Sequence, residues 1–255
     1  MRDLSRREIL KTAALAAGAA AAGATAPSTG AAAEPESRTG AWPISLNTST
    51  LRGHKLPIRK TIEIAEKAGY ACIEPWPNEI DAFIKSGGKL ADLKKELSDK
   101  GLKVTGAIAF FRWMVDDKAQ RAKALEEARV FMDKLAQIGG THMAAPPTGK
   151  VGDVKLLDAA ERYRDLLVAS EDFPVIPAVE VWGFQNNLYR LGQSVLVALE
   201  AQHPRACVLP DVYHLYKGGS GPSGVKHPGA SLIGGFHPND YPDIPRADID
   251  RQTLV

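Results

Sequence analysis

Three short apolar runs in the C-terminal half each lead into a side chain able to bind metal, and they restrict the fold more than any other feature of the chain. Val175-Ile176-Pro177-Ala178-Val179 leads to Glu180, Ala206-Cys207-Val208-Leu209-Pro210 leads to Asp211 and then His214, and Leu232-Ile233-Gly234-Gly235-Phe236 leads to His237. The runs recur about thirty residues apart with helical or loop sequence between them, a rhythm that predicts βα units and a parallel sheet. The carboxyl ends of successive strands in such units open on one mouth, so these polar residues are expected to converge there. Carboxylates and imidazole brought together make a ligand set for one divalent ion, Mn²⁺ for preference, with Co²⁺, Zn²⁺ or Mg²⁺ as alternatives. Each residue alone has a plainer reading, Glu180 as an ion-pair partner and His237 as a loop cap. Their register at three consecutive strand ends favours the metal.

The amino terminus carries Ser5-Arg6-Arg7-Glu8-Ile9-Leu10-Lys11 ahead of an alanine-rich stretch at residues 12–33. Paired arginines before a weakly apolar segment read as a twin-arginine export signal, with cleavage expected after Ala31-Ala32-Ala33. Gly18, Gly23 and Pro27 interrupt the stretch, so stable membrane insertion is not expected. An uncleaved anchor or a tail is the competing reading. Residues 1–33 are therefore assigned to the signal, residues 34–255 to one domain, and the mature protein to the periplasm. The signal holds four basic and two acidic residues, so its removal takes the formal charge from +2 to zero. A neutral body offers no electrostatic footprint for nucleic acid or anionic lipid. Cys72 and Cys207 lie inside strand runs on opposite sides of the expected sheet and are read as buried thiols rather than a disulfide.

The rest of the chain keeps the same alternation. Residues 42–47 form a first strand, and a helix with Pro57 in its first turn and Ile58, Ile62 and Ala65 on one face stops at Gly69. Residues 70–74 form a second strand, stopped by Pro75-Trp76-Pro77, and residues 90–100 a helix. Residues 102–108 form a third strand, followed by a helix with Leu125, Ala128, Met132 and Leu135 on one face that ends at Gly139-Gly140. Residues 141–145 form a fourth strand, residues 156–168 its helix, and Leu188, Leu191, Val195 and Leu199 mark the helix after Glu180. Seven strands are countable, which predicts an α/β fold of the (β/α)8-barrel type with its eighth strand missing. No apolar run follows His237 before Val255, so the chain is expected to be truncated at its C-terminus or to close through a partner, as in a homo-oligomer.

Glu180-Val181-Trp182-Gly183, Asp211-Val212-Tyr213-His214 and His237-Pro238-Asn239-Asp240-Tyr241-Pro242 resemble the sugar phosphate isomerase/epimerase family of xylose-isomerase-like barrels. The resemblance runs through the whole of residues 34–255 in strand order and includes Arg112-Trp113-Met114-Val115-Asp116-Asp117 and Ala144-Ala145-Pro146-Pro147. It implies a metal held by Glu180, Asp211 and His237, plus a glutamate after an eighth strand that has no counterpart here. It also implies proton removal beside a carbonyl through an enediolate, with Glu180 exchanging the proton and His214 touching substrate. The missing glutamate is expected to impair both metal binding and turnover. Arg246, Trp182 and Glu74 are weaker candidates for contact with a small sugar or keto-sugar. For these the plainer readings are a solvated charge, core packing and an ion pair. A DNA-repair endonuclease of the same superfamily needs further histidines after the second and third strands, where Pro75-Trp76 and Phe110-Phe111-Arg112 stand instead. A keto-sugar or inosose dehydratase, or a non-catalytic sugar-binding remnant, remains the alternative.

Overall fold

The computed structural model describes residues 43–250, in which every strand pair of the two sheets is parallel. β1 (Ser45–Asn47), β2 (Cys72–Glu74) and β3 (Lys103–Val104) form one sheet in that order. β4 (Gly106–Ile108), β5 (His142–Ala145), β6 (Ile176–Glu180) and β7 (Val208–Leu209) form the second. The connecting helices are α1 (Ile58–Lys67), α2 (Pro77–Lys85), α3 (Leu90–Asp99), α4 (Lys118–Gln137), α5 (Leu156–Ala169), α6 (Leu191–Glu200) and α7 (Val212–Gly218). This is the expected α/β architecture of barrel type. The export signal expected at residues 1–33 lies outside the described residues. Among the described residues no helix is long and apolar enough to cross a membrane.

The third run, one strand in sequence, is divided at Thr105. Its first part pairs with β2 and its second with β5, and Thr105 links the two: its N–H donates to the Ile73 carbonyl at 3.2 Å, and its own carbonyl accepts from Thr141 Oγ1 at 3.0 Å. Gly106 follows because β5 comes too close for a side chain. A Cβ there would sit 2.7 Å from the His142 carbonyl oxygen.

Side chains alternate between two apolar layers, as the strand period requires. Ile73, Ala107, Met143, Val179 and Val208 face the helices and pack with Ile62, Met132, Leu135 and Tyr163. Ile108, Ala144, Ala178, Cys207 and Leu209 face the other way and form an interior cluster. Glu74, Glu180 and Asp211 share the interior parity, one step past the strands' apolar stretch. Cys72 and Cys207 are buried and unbridged.

Four further elements differ from expectation. Pro77 starts α2 rather than only stopping β2, since its missing N–H is one that a first helical turn leaves unpaired, and Glu79 Oε2 accepts the Trp76 N–H at 2.8 Å. A 3₁₀ helix at Thr48–His54 precedes α1, with Asn47 accepting at its start. Leu188 lies before α6 in the left-handed region (φ 55), and Leu199 is 59% exposed, so the buried face of α6 is Leu191, Ser194, Val197 and Ala198 instead. The seventh strand is reduced to two bridges, Val208 with Ile233 and Asp211 with His237. Four residue steps on one side match three on the other, a bulge at Gly234-Gly235. A Cβ at Gly234 would lie 3.3 Å from Ala178 Cβ and against Cys207 Sγ, so the bulge closes on the interior cluster only as glycine.

β6 carries Pro177 in mid-strand without losing a ladder bond. Ile176 N–H points to Thr141 of the β5 side, whereas Val179 and Val181 N–H point to Cys207 and Leu209 of the β7 side. Position 177 shares the second direction, but β7 begins only at Val208, opposite Val179. The Tyr163 hydroxyl of α5 spans this gap. It lies 2.7 Å from the Pro177 carbonyl and 3.0 Å from the Cys207 carbonyl, and accepts the Cys207 N–H at 3.2 Å. Tyr163→Phe should therefore leave buried backbone groups unpaired and cost about 1–3 kcal/mol, lowering the melting temperature by roughly 2–4 °C per kcal/mol. Calorimetric melting within 1 °C of the parent would show that the clasp contributes nothing.

Candidate metal centre

Glu74 and Glu180 end β2 and β6, Asp211 stands two residues after β7, and all three are buried. His237 sits among them. Its Nε2 lies 3.1 Å from Glu74 Oε2 and 3.2 Å from Glu74 Oε1, and its Nδ1 lies 3.3 Å from Glu180 Oε1 and 3.7 Å from Asp211 Oδ2. With a carboxyl oxygen facing each ring nitrogen, the doubly protonated imidazolium satisfies both sides. Burial opposes that charge, but Glu74, Asp211 and Glu180 outweigh it and hold the His237 pKa well above the usual histidine value.

Burial drives the Glu180 pKa up to about 7. His237 pulls it back down, while Asp211 and Glu74 push it further up. Glu180 is thus poised to gain or lose a proton near neutrality. Burial pushes His214 down to about 4, so that its net shift is opposite to that of His237, with Asp211 raising it and His237 lowering it further. Its ring is neutral at pH 7, the form that ligates metals.

The fit to a cation is testable on these side chains. One donor atom from each of Glu180, Asp211 and His214 lies within 4.8 Å of the others. Glu180 Oε2 and His214 Nδ1 are buried and, among the described residues, have no hydrogen-bond partner. Buried polar atoms are seldom left so, and two in one acidic group are what a cation would satisfy. Asp211 is already held. Its Oδ1 accepts the His214 N–H at 3.0 Å at the start of α7, and its Oδ2 accepts from Asn239 Nδ2. The donors therefore fit a divalent ion, with Glu180 and Asp211 in common to the ligand set expected from sequence and His214 as the imidazole that groups with them. His237, expected as that imidazole, bridges the carboxyls beside it.

Of the weaker candidates, Glu74 is fully part of the cluster. Trp182 lies against the His214 ring, with centroids 4.0 Å apart. Arg246 is exposed and packs by Gly219, eight residues beyond Asp211 and so roughly 12 Å along α7. No described contact brings it to the carboxyls. Asn47, at the end of β1, was not singled out by sequence. Its Nδ2 donates to Glu74 Oε2 at 2.7 Å, and its Oδ1 accepts from Trp76 Nε1 at 2.9 Å and Ser49 N–H at 3.0 Å. A polar residue at the carboxyl end of the first strand was the available signal.

No curated protein is similar in sequence to this chain. Among solved structures, the chain is similar to the IOLI protein with a bound zinc atom, at 18% identity and TM-score 0.75 over 83% of this chain and 77% of that one. It is similar to the probable 3-DHS dehydratase AsbF from Bacillus anthracis, at 16% identity and TM-score 0.68 over 78% and 74%. It is also similar to the 3-keto-D-glucoside 4-epimerase YcjR from E. coli, at 15% identity and TM-score 0.62 over 78% and 80%. At these identities the likeness is one of fold. The xylose isomerase-like TIM barrel family matches residues 62–254, a span that includes Glu74, Glu180, Asp211, His214 and His237, and the chain belongs to that family.

Proposed function

We propose that the chain is a metal-dependent sugar isomerase or epimerase that removes and returns a proton beside a carbonyl. The observation that supports this most directly is the buried group of Glu180, Asp211 and His214, with its two unpartnered donor atoms. A divalent ion held there by Glu180, Asp211 and an imidazole, Mn²⁺ for preference, supplies Lewis-acid polarisation of the carbonyl and its neighbouring hydroxyl when bound.

The chain's own groups handle the proton. Glu180, with its pKa at about 7, is matched to taking and giving a proton at neutral pH. His237 lies between Glu180 and Glu74 and gives the proton a path from one carboxyl to the other. Glu74 is held in place by Asn47, and His214 presents a neutral ring beside Trp182. The similarity to both an epimerase and a probable dehydratase leaves the fate of the deprotonated carbon to be read from product, since the two reactions share the proton-removal step. The reading includes export through the paired Arg6-Arg7 signal, cleavage near residue 33 and action on a small sugar or keto-sugar in the periplasm.

In D₂O with Mn²⁺, a keto-sugar substrate should take up deuterium at the carbon beside its carbonyl, and Glu180→Gln should slow that uptake by about 100-fold or more. Mass spectrometry separates the outcomes. Unchanged skeletal mass marks isomerisation or epimerisation, loss of water marks dehydration, and no exchange with any keto-sugar overturns the reading.

Metal affinity should depend on pH with a defined sign. Glu180 is half protonated near 7 and His237 keeps its proton beyond the usual range, whereas His214 is already neutral. Mn²⁺ held by Glu180, Asp211 and His214 must displace the Glu180 proton while His237 keeps its own, so affinity should fall as pH drops from 8 to 6, by about tenfold over that range. Calorimetry showing the same affinity across that range, with no proton release, would contradict the assignment of the donors.

A further inference from the structure

Two residues beyond the carboxyl group on each of two strands stands a tryptophan: Glu74-Pro75-Trp76 after β2 and Glu180-Val181-Trp182 after β6. Phe110 holds the same position beyond Ile108 at the end of β4. A step of two keeps the side-chain direction, so all three rings face the interior side of the mouth, roughly 7 Å further out than the acids. They touch. Phe110 lies 5.4 Å from Trp76 and 5.7 Å from Trp182, centroid to centroid, and Trp182 goes on to His214 at 4.0 Å.

Trp76 and Trp182 also pack down on the interior cluster of Ile108, Ala144, Ala178, Cys207 and Leu209. Core packing accounts for them in part, but not for Phe110, which is 41% exposed at the centre of the arc. Trp76 is held by more than packing. Its indole N–H donates to Asn47 Oδ1, the same amide whose Nδ2 grips Glu74. One side chain thus fixes an acid below and a ring plane above.

We propose that Trp76, Phe110 and Trp182 form a stacking rim that selects an uncharged ring-form substrate, a pyranoside or cyclitol ketone, over an open-chain phosphorylated ketose. The proposal rests on the isomerase reading for the chemistry beneath the rim. A six-membered ring with equatorial hydroxyls has an apolar face of axial C–H groups, which aromatic faces take up, and a polar edge that reaches the carboxyls and His237. An open-chain phosphate has no such face, and none of the three rings carries a positive charge to meet its own.

The test is saturation-transfer NMR on the full chain with methyl β-D-glucopyranoside, myo-inositol and D-ribulose 5-phosphate, with Mn²⁺ calorimetry on the same samples. The two ring compounds should bind, with saturation concentrated on the axial protons of one face. Phe110→Ala should weaken them about tenfold, Phe110→Tyr should restore them and Phe110→Leu should not. Unchanged Mn²⁺ affinity in each variant would show that the fold is intact. Ring binding untouched by Phe110→Ala, or ribulose 5-phosphate binding as tightly as the rings, overturns the rim. If the parent binds Mn²⁺ but neither ring compound, the rim fails while the isomerase reading stands. If the rings bind in the stated pattern and Mn²⁺ does not, the rim stands and the metal reading fails.

Discussion

Three carboxyl groups buried at one end of a parallel sheet must be compensated where they stand, because burying an unpaired charge costs more than any one apolar contact returns. Much of the local structure can be read as that compensation. His237 meets Glu74 on one side and Glu180 on the other, Asn47 donates to Glu74, and the start of α7 and Asn239 donate to Asp211. What is left over is as informative as what is paired. Glu180 Oε2 and His214 Nδ1 have no partner among the described residues, and the Glu180 pKa stands at about 7 rather than in the ordinary carboxyl range. A cluster that served only to hold the sheet would not need to keep two donors in reserve.

The delivery of His237 depends on a local irregularity. With regular pairing onward from Ile233 opposite Val208, Phe236 would stand opposite Asp211. The extra residue of the Gly234-Gly235 bulge puts His237 there instead, and Phe236 is 45% exposed. A one-residue slip reverses which face a strand side chain takes, so the bulge decides whether an imidazole or a phenyl ring meets the carboxyls. The glycines carry this in two ways: they permit the kink, and they leave room for Cys207 and Leu209 beneath it.

The order of strands, the ends at which the acids stand and the buried thiols were legible because they rest on period and composition. The parity that buries Ala178 inside also turns Glu180 inside, and this holds whatever the neighbouring strands do. Features that depend on which neighbour a residue meets were not legible. The split at Thr105 follows from a change of partner from β2 to β5, and the bulge appears only when 233–237 is laid beside 208–211. The start of α2 at Pro77 was hidden for another reason. A proline both ends strands and opens helices, and the deciding contact, the Glu79 carboxyl on the Trp76 N–H, lies two residues beyond it. The two imidazoles show the same limit in chemistry. His214 and His237 each follow a strand end, and burial lowers both, yet it drives His214 to about 4 against the pull of Asp211, whereas Glu74, Asp211 and Glu180 together raise His237.

The strand period also separates two tasks that a small site must combine. Positions 74 and 180 carry acids and positions 76 and 182 carry indoles, so one geometric repeat makes a charged floor and an aromatic rim on the same strands. The floor is tightly determined, since His237, Asn47 and Asn239 each hold one or more of its carboxyls and a single loss strands a buried charge. The rim is looser. Phe110 touches its neighbours only through ring edges and faces and is partly open to solvent, so its replacement disturbs no hydrogen bond in the floor. On the proposed reading, selection of substrate can therefore drift at the rim while the proton chemistry stays fixed beneath it.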